Sequence, residues 1–303
     1  MNAQSPIAAA TIVNPLATTA MLCGVRLSMW TGRKLDKDAT RETNEQHEAE
    51  ADASRVNKAL ISPEALKPIQ KAITEARGVH YARTLPWEDD GLRILPAMAY
   101  GAFAAEMNRC RTKFEEEVDR FAAIYPNLVA AAQRRLGRMH KAEEFPEISR
   151  IRERFTFDVR VLPMPDAQDF RVALSGSQAA QIKRDIEDSM RSALETAMQD
   201  AWRRIIEKLH HMVDRLNGYK PGDGTTKAEG AFRDSLVLNM RDLVSVLPSF
   251  NLTQDPVLER TIQRMSAELC KHEASTLRAD PARRSETAAA AQSILDDVSA
   301  YLA

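Results

Sequence analysis

The residue types that could do chemistry are sparse and poorly grouped. Of the six histidines (His47, His80, His140, His210, His211 and His272), none sits in an HExxH pair. Glu207 and His210 form one Glu-x-x-His on a helical pattern. A carboxylate-bridged di-metal bundle needs two such motifs with further glutamates on facing helices. His140 with Glu143 and Glu144 is the nearest second set and lacks the spacing, so neither metal nor cofactor is expected. The stretch from Gly218 to Lys227 is glycine-rich and holds Thr225 and Thr226. A phosphate loop follows a strand and places its Lys after a Gly. Here a helix precedes and the Lys follows Thr226, so the stretch reads as a loop. No GxGxxG or GxSxG occurs, and Ser175-Gly176-Ser177 reads as a strand-to-helix cap. The expected function is non-enzymatic.

Charge is more informative. The chain of 303 residues carries 42 bases and 43 acids, which excludes a global basic field for nucleic acid or anionic lipid. Locally the two signs separate. Residues 36–53 hold seven acids against two bases, a solvated face or a docking surface for a basic partner. Between 134 and 154 the bases Arg134, Arg135, Arg138, Lys141, Arg150, Arg152 and Arg154 outnumber four glutamates, and Phe155 and Phe157 follow. Arginines beside exposed aromatics can hold single-stranded nucleic acid by phosphate pairing and base stacking. The same run also reads as core-facing Phe residues with Arg and Glu paired at helical spacing.

The elements that must position these groups are mostly helical. Glycine is scarce at 11 residues. Val25, Leu27 and Met29 alternate with polar residues and predict a strand near 22–29. The charged stretch after residue 36 predicts an exposed helix. Ser62-Pro63 starts a helix that Gly78 stops. From Phe103 to Tyr125 one apolar stripe covers seven turns, and Pro126 marks a kink or a new start. Strict alternation at Phe155–Val161 and again at Phe170–Leu174 predicts a β-hairpin over 155–174. No Gly or Pro interrupts 178–216, where apolar residues from Ile182 to Leu216 recur every 3.8 residues on average, a nearly straight helix. A helix from 227 to Leu247 is closed by Pro248. Asp255-Pro256 opens one running to Leu277, and Asp280-Pro281 opens the last.

Cys23, Cys110 and Cys270 are odd in number and form no CxxC, as in a reducing cytoplasm. The first 25 residues lack the basic start of a secretory signal, and no window approaches the ~20 apolar residues of a membrane span. Residues 1–20 read as a loose arm, 21–280 as one elongated domain, and 281–303 as a C-terminal amphipathic helix.

Two stretches carry a resemblance. One is LSMWTGRKLDKD, with Trp30, Gly32, Arg33 and Asp36; the other is FRDSLVLNMRDLVSVLPSFNLTQDPVLE, with Pro248, Asn251, Asp255 and Pro256. Together they resemble an uncharacterised family of phage and proteobacterial proteins often encoded near MoxR- or CobS-like AAA+ ATPases. The resemblance spans roughly residues 20–280 and implies a possible ATPase partner; it supplies no catalytic residues. Read physically, Leu247-Pro248 is a helix terminator, and Arg33 and Asp36 can pair locally.

The fold expected is mainly α within an α+β arrangement. Long helices form an extended bundle or stalk, and a small sheet joins the N-terminal strand to the hairpin. The stripe from Ile182 to Leu216 needs cover from the chain's own helices or from another copy, so a coiled-coil-like homo-oligomer is expected. The function expected is an interaction protein of phage or prophage origin in the bacterial cytoplasm. It would act with an AAA+ ATPase through residues 36–53 or the loop at 163–169. The alternative is a single-strand DNA-binding protein using the arginine run.

Overall fold

The computed structural model describes residues 15–87, 91–166, 176–222 and 228–302. In chain order the elements are α1 (Pro15–Thr19), β1 (Ala20–Ser28), β2 (Arg33–Leu35), α2 (Lys37–Gln46), β3 (Asn57–Ala59), α3 (Lys67–Arg83), β4 (Leu85–Pro86) and β5 (Leu92–Pro96). They continue with α4 (Tyr100–Leu136), β6 (Thr156–Pro163), α5 (Gly176–Asn217), α6 (Ser235–Phe250), α7 (Pro256–Arg264), α8 (Ala274–Ala279) and α9 (Pro281–Leu302). The protein is mainly α with a small sheet, as the sequence predicts. One sheet has the order β4-β5-β1-β6; β2 and β3 form a separate antiparallel pair in the register Arg33–Ala59 and Leu35–Asn57. The N-terminal strand and the first predicted hairpin strand are therefore sheet neighbours. The second hairpin strand, Phe170–Leu174, lies outside the described residues. So do residues 1–14 of the arm, residues 88–90, residues 167–169 of the loop and residues 223–227 of the glycine-rich stretch.

The chain divides into two compact units. The first comprises Met1–Cys23, Arg83–Tyr100 and Val161–Ala303. Its axis is α5, whose 42 residues extend about 63 Å at 1.5 Å per residue. Met190, Ala197, Ala201, Ile205, Leu209, Met212 and Leu216 are buried along one face by the chain's own helices. The first turns of α5, through Ser189, hold no fully buried residue, and Ile186 packs half-buried against the core. The small residues Ala193, Ala197 and Ala201, with Ala288 and Ala291 of α9, let the two backbones approach closely. Ile294, Leu295 and Val298 of α9 close the core, while Leu302 at the helix end is exposed. Residues 15–20, read from sequence as part of the arm, form α1 and the start of β1, with Leu16 buried in this same core.

The second unit comprises Gly24–Ala82 and Gly101–Arg160. Its spine is α4, and every predicted stripe residue from Phe103 to Tyr125 is buried. Leu60, Ile61, Leu66, Ile69 and Ile73 are buried in the same unit, His80 of α3 meets the Phe103 ring at 6.2 Å, and Phe155 and Phe157 meet Phe121 and Phe114.

Several local expectations are corrected. No new helix begins at Pro126: α4 runs through it to Leu136, and Tyr125 beside it is fully buried against Trp30 and Phe121. Gly78 does not stop α3, which continues to Arg83 and buries His80; a lone glycine in a helix costs only about 1 kcal/mol. The charged helix is shorter than the acidic run, ending at Gln46, and Asn57–Ala59 is a strand. Helix α6 starts at Ser235 instead of 227 and passes through Pro248 to the fully buried Phe250. The helix begun at Asp255 does not reach Leu277 unbroken: a π turn at Met265–Leu269 and a break precede α8.

Leu209 is fully buried on α5. Leu209→Ala should lower unfolding stability by about 2–5 kcal/mol in urea titration, through lost transfer energy and a residual cavity.

Candidate interaction surfaces

The first motif is spent on a turn. After β1, Trp30 meets the ring of Tyr125 edge-on at 5.6 Å and that of Phe121 at 6.3 Å. Gly32 has φ +63°, and its carbonyl accepts a hydrogen bond from the Leu60 amide at 2.8 Å. A Cβ there would stand 3.1 Å from Ile61 Cγ1 and 3.2 Å from Leu66 Cδ1, so both space and conformation favour glycine. Arg33 then starts β2 with an exposed side chain.

Asp36 has two roles. Its carboxylate accepts from the Ala39 amide at 3.0 Å, capping α2. It also pairs with Lys58 Nζ at 2.9 Å, in place of the local Arg33 pairing expected. The Lys58 side chain is 1% exposed and also reaches Glu144 Oε2 at 2.8 Å and the Met139 carbonyl at 2.7 Å. The Met139 carbonyl takes a hydrogen bond from the ammonium, and the two carboxylates face it as ion-pair partners, with the Glu144 Oε2 atom itself buried. The Ala39 amide and then Lys58 hold the Asp36 carboxyl below the usual carboxylate range. Burial alone would lower the Lys58 pKa, but its bonds to Glu144 and Asp36 prevail and raise it. Sequence reasoning missed Lys58 and the pairing of Glu144, because the three partners are far apart in the chain and Lys58 sits in a three-residue strand with no periodic signal.

Acidic residues 38–52 are presented by this anchor. Thr40 Oγ1 donates to the Asp36 carbonyl and accepts from the Val56 amide; buried Asn44 donates to the Ala51 carbonyl at 3.0 Å. These bonds fasten the inner side of the segment, and Asp38, Glu42, Glu45, Glu48, Glu50 and Asp52 are exposed.

The arginine run splits into two groups. Arg134 and Arg135 end α4 and Arg138 follows in a 3-10 turn; all three are exposed, with no ion pair among the described residues. Lys141 pairs with Asp38 at 2.9 Å. The chain then runs back along α4. The Tyr125 hydroxyl donates to the Pro146 carbonyl, Arg152 pairs with Asp119, and Phe155 and Phe157 stack on Phe121 and Phe114. Arg152 therefore stands level with a residue about 22 Å along the helix from Arg134. Arg150 pairs with Glu153 at 3.0 Å; Arg154 is exposed. Phe155 and Phe157 turn toward α4, and Arg111 lies over the Phe157 ring at 5.3 Å.

The second motif is a helix–helix corner in the first unit. Asn251 accepts from the Asp255 amide at 2.7 Å and donates to the Asp255 carbonyl at 3.0 Å, closing a turn in which Gln254 has φ +54°. Asp255 caps α7 through the Val257 and Leu258 amides, Pro256 takes the first helical position, and Tyr301 donates to Asp255 Oδ2 at 3.2 Å. The corner borders a mostly apolar groove of about 610 Å³ lined by Pro248, Leu252, Pro256 and Met98. Met98 is 85% exposed.

Elsewhere, Glu207 pairs with Arg203 at 3.0 Å, while His210 and His211 face outward. Among the described residues no group of His, Cys, Asp or Glu could hold a metal ion. Cys23 and Cys110 are buried, and burial pushes the Cys23 thiol up to about 11. No helix among the described residues is long and apolar enough to cross a membrane. No family model, curated protein or solved structure matches the chain.

Because the Asp36 pKa is depressed on folding, its contribution to stability is complete above the ordinary carboxylate value and is lost as pH falls toward the lowered one. Urea unfolding from pH 7 to pH 3 should show a steeper loss in the wild type than in Asp36→Asn. At the other corner, Asp255→Ala should cost about 1 kcal/mol, the loss of a helix cap, in the same assay at pH 7.

Proposed function

We propose that this chain is a non-enzymatic interaction protein of phage or prophage origin that docks an AAA+ ATPase through its acidic surface at residues 38–52. The ATPase as partner comes from the resemblance of the Trp30–Asp36 and Pro248–Pro256 motifs. The observation that carries the reading is the anchoring of the acidic segment: six carboxylates point outward from a segment whose inner side is fixed by Asp36, Thr40 and Asn44. Arg41, paired with Asp38 and Glu45, is the one Lys or Arg in the segment. A preformed, predominantly acidic surface loses little ordering entropy on binding and steers a basic partner toward it.

A second reading is single-stranded DNA binding by Arg134, Arg135 and Arg138, favoured by their exposure without acidic partners among the described residues. The packing of Phe155 and Phe157 on α4 withdraws the bases' stacking partners from it.

The test is retention of a purified MoxR- or CobS-like ATPase. The wild type should retain it at low salt and change its ATP hydrolysis rate. The variant with Glu42, Glu45, Glu48 and Glu50 all changed to Gln should retain at least about tenfold less, with loss also in high salt. No retention and no change in rate by the wild type would sink the reading. A salt-dependent gel shift of labelled single-stranded DNA, abolished by changing Arg134, Arg135, Arg138 and Lys141 to Ala, would favour the second instead.

A further inference from the structure

Between the end of α4 and β6 the chain makes only short 3-10 turns, and no residue from 137 to 147 is buried. Apolar burial therefore does little to hold this segment down. Among the described residues its polar ties to the rest of the second unit are few. The Tyr125 hydroxyl bonds the Pro146 carbonyl at one end, and the exposed pair Lys141–Asp38 lies near the middle. The remaining two, Met139 and Glu144, converge on the same buried ammonium. An exposed ion pair contributes little to stability, so the buried lysine is the dominant tie.

The commitments of the two carboxylates are unequal. Asp36 is bound to Lys58 and also to the start of α2 through the Ala39 amide. Glu144 has Lys58 as its one ion-pair partner among the described residues, and its side chain lies at the edge of solvent. If the ammonium is removed, two desolvated like charges face each other. The one that can reach water by moving is Glu144, and the segment it belongs to has no buried residue to keep it in place.

We propose that residues 137–147 form a strap with a shut and an open state, and that the Lys58 ammonium is its latch. Shut, the strap covers the Lys58 amine and holds Lys141 on Asp38. Open, it exposes that amine to solvent and parts Lys141 from Asp38. The strap is thus a unit of low local stability set on a spine, α4, that does not open with it.

Hydrogen exchange by mass spectrometry on the full chain tests this. Lys58→Met should speed exchange of the amides in 137–147 at least about tenfold while α3 and α4 keep wild-type protection. Glu144→Gln changes a residue on the strap itself and leaves Asp36 paired. It should speed exchange in the same segment by a smaller factor, and it decides the matter if Lys58→Met fails to fold. A second readout is acetylation of Lys58 by an amine-reactive reagent: slow in the wild type and faster in Glu144→Gln. The proposal is overturned if exchange rises equally across residues 67–136, which would make Lys58 a general structural residue. Unchanged exchange at 137–147 with unchanged labelling in Glu144→Gln would also overturn it.

Discussion

Two long helices each present one apolar stripe, and most other elements serve to cover one or the other. On α5 the stripe from Met190 to Leu216 is met by α6 and α9; on α4 the stripe from Phe103 to Tyr125 is met by His80 of α3, Trp30 and the Phe155–Phe157 segment. Covering is what sets connection geometry. A helix that must lie along α5 has to begin where its cap can form, and Asp255 and Asp280 both accept from the first amides of the helices they start. Where covering is strong, local preference yields. Pro126 and Pro248 both sit inside helices, beside residues with no exposed surface, Tyr125 and Leu247.

The motif residues belong to this logic. Trp30 fills the space beside Tyr125, Gly32 holds a positive φ where a Cβ would crowd Ile61 and Leu66, and Asn251 with Asp255 sets the corner from which α7 departs. The side chains of Trp30, Asp36, Asn251 and Asp255 are occupied by the fold. The groups left facing water are Arg33, the acids of 38–52, the arginines at the end of α4, and Met98 beside the motif prolines Pro248 and Pro256 of the groove. These surfaces are free to meet a partner.

Periodic features were legible in the sequence because burial repeats with the helix. The stripe of α4, the full length of α5 and the caps at Asp255 and Asp280 could all be read. What escaped was set by contacts distant in the chain. The strands β2 and β3 are three residues each and pair across more than twenty positions, too short for alternation to register. The Lys58 cluster joins residues 36, 58, 139 and 144, and nothing in the local pattern marks a buried charge. The basic run at 134–154 looked continuous because sequence order conceals that the chain doubles back along α4 after Pro146. The stop assigned to Gly78 failed for a simpler reason: a helix can bear one glycine when Ala76 and His80 on either side are buried.

The two units are interleaved in the chain, with boundaries at residues 23, 82, 100 and 160 that fall within or at the ends of regular elements, not in linkers. Neither can be cut out as a single piece. During synthesis the last residue of the second unit, Arg160, is made some 140 residues before α9 is complete. At ordinary elongation rates that is on the order of ten seconds. For that interval α1 and β4 have been made, but α9, which closes the core around them, has not. The first unit must hold its earliest strand unfinished until its last helix arrives.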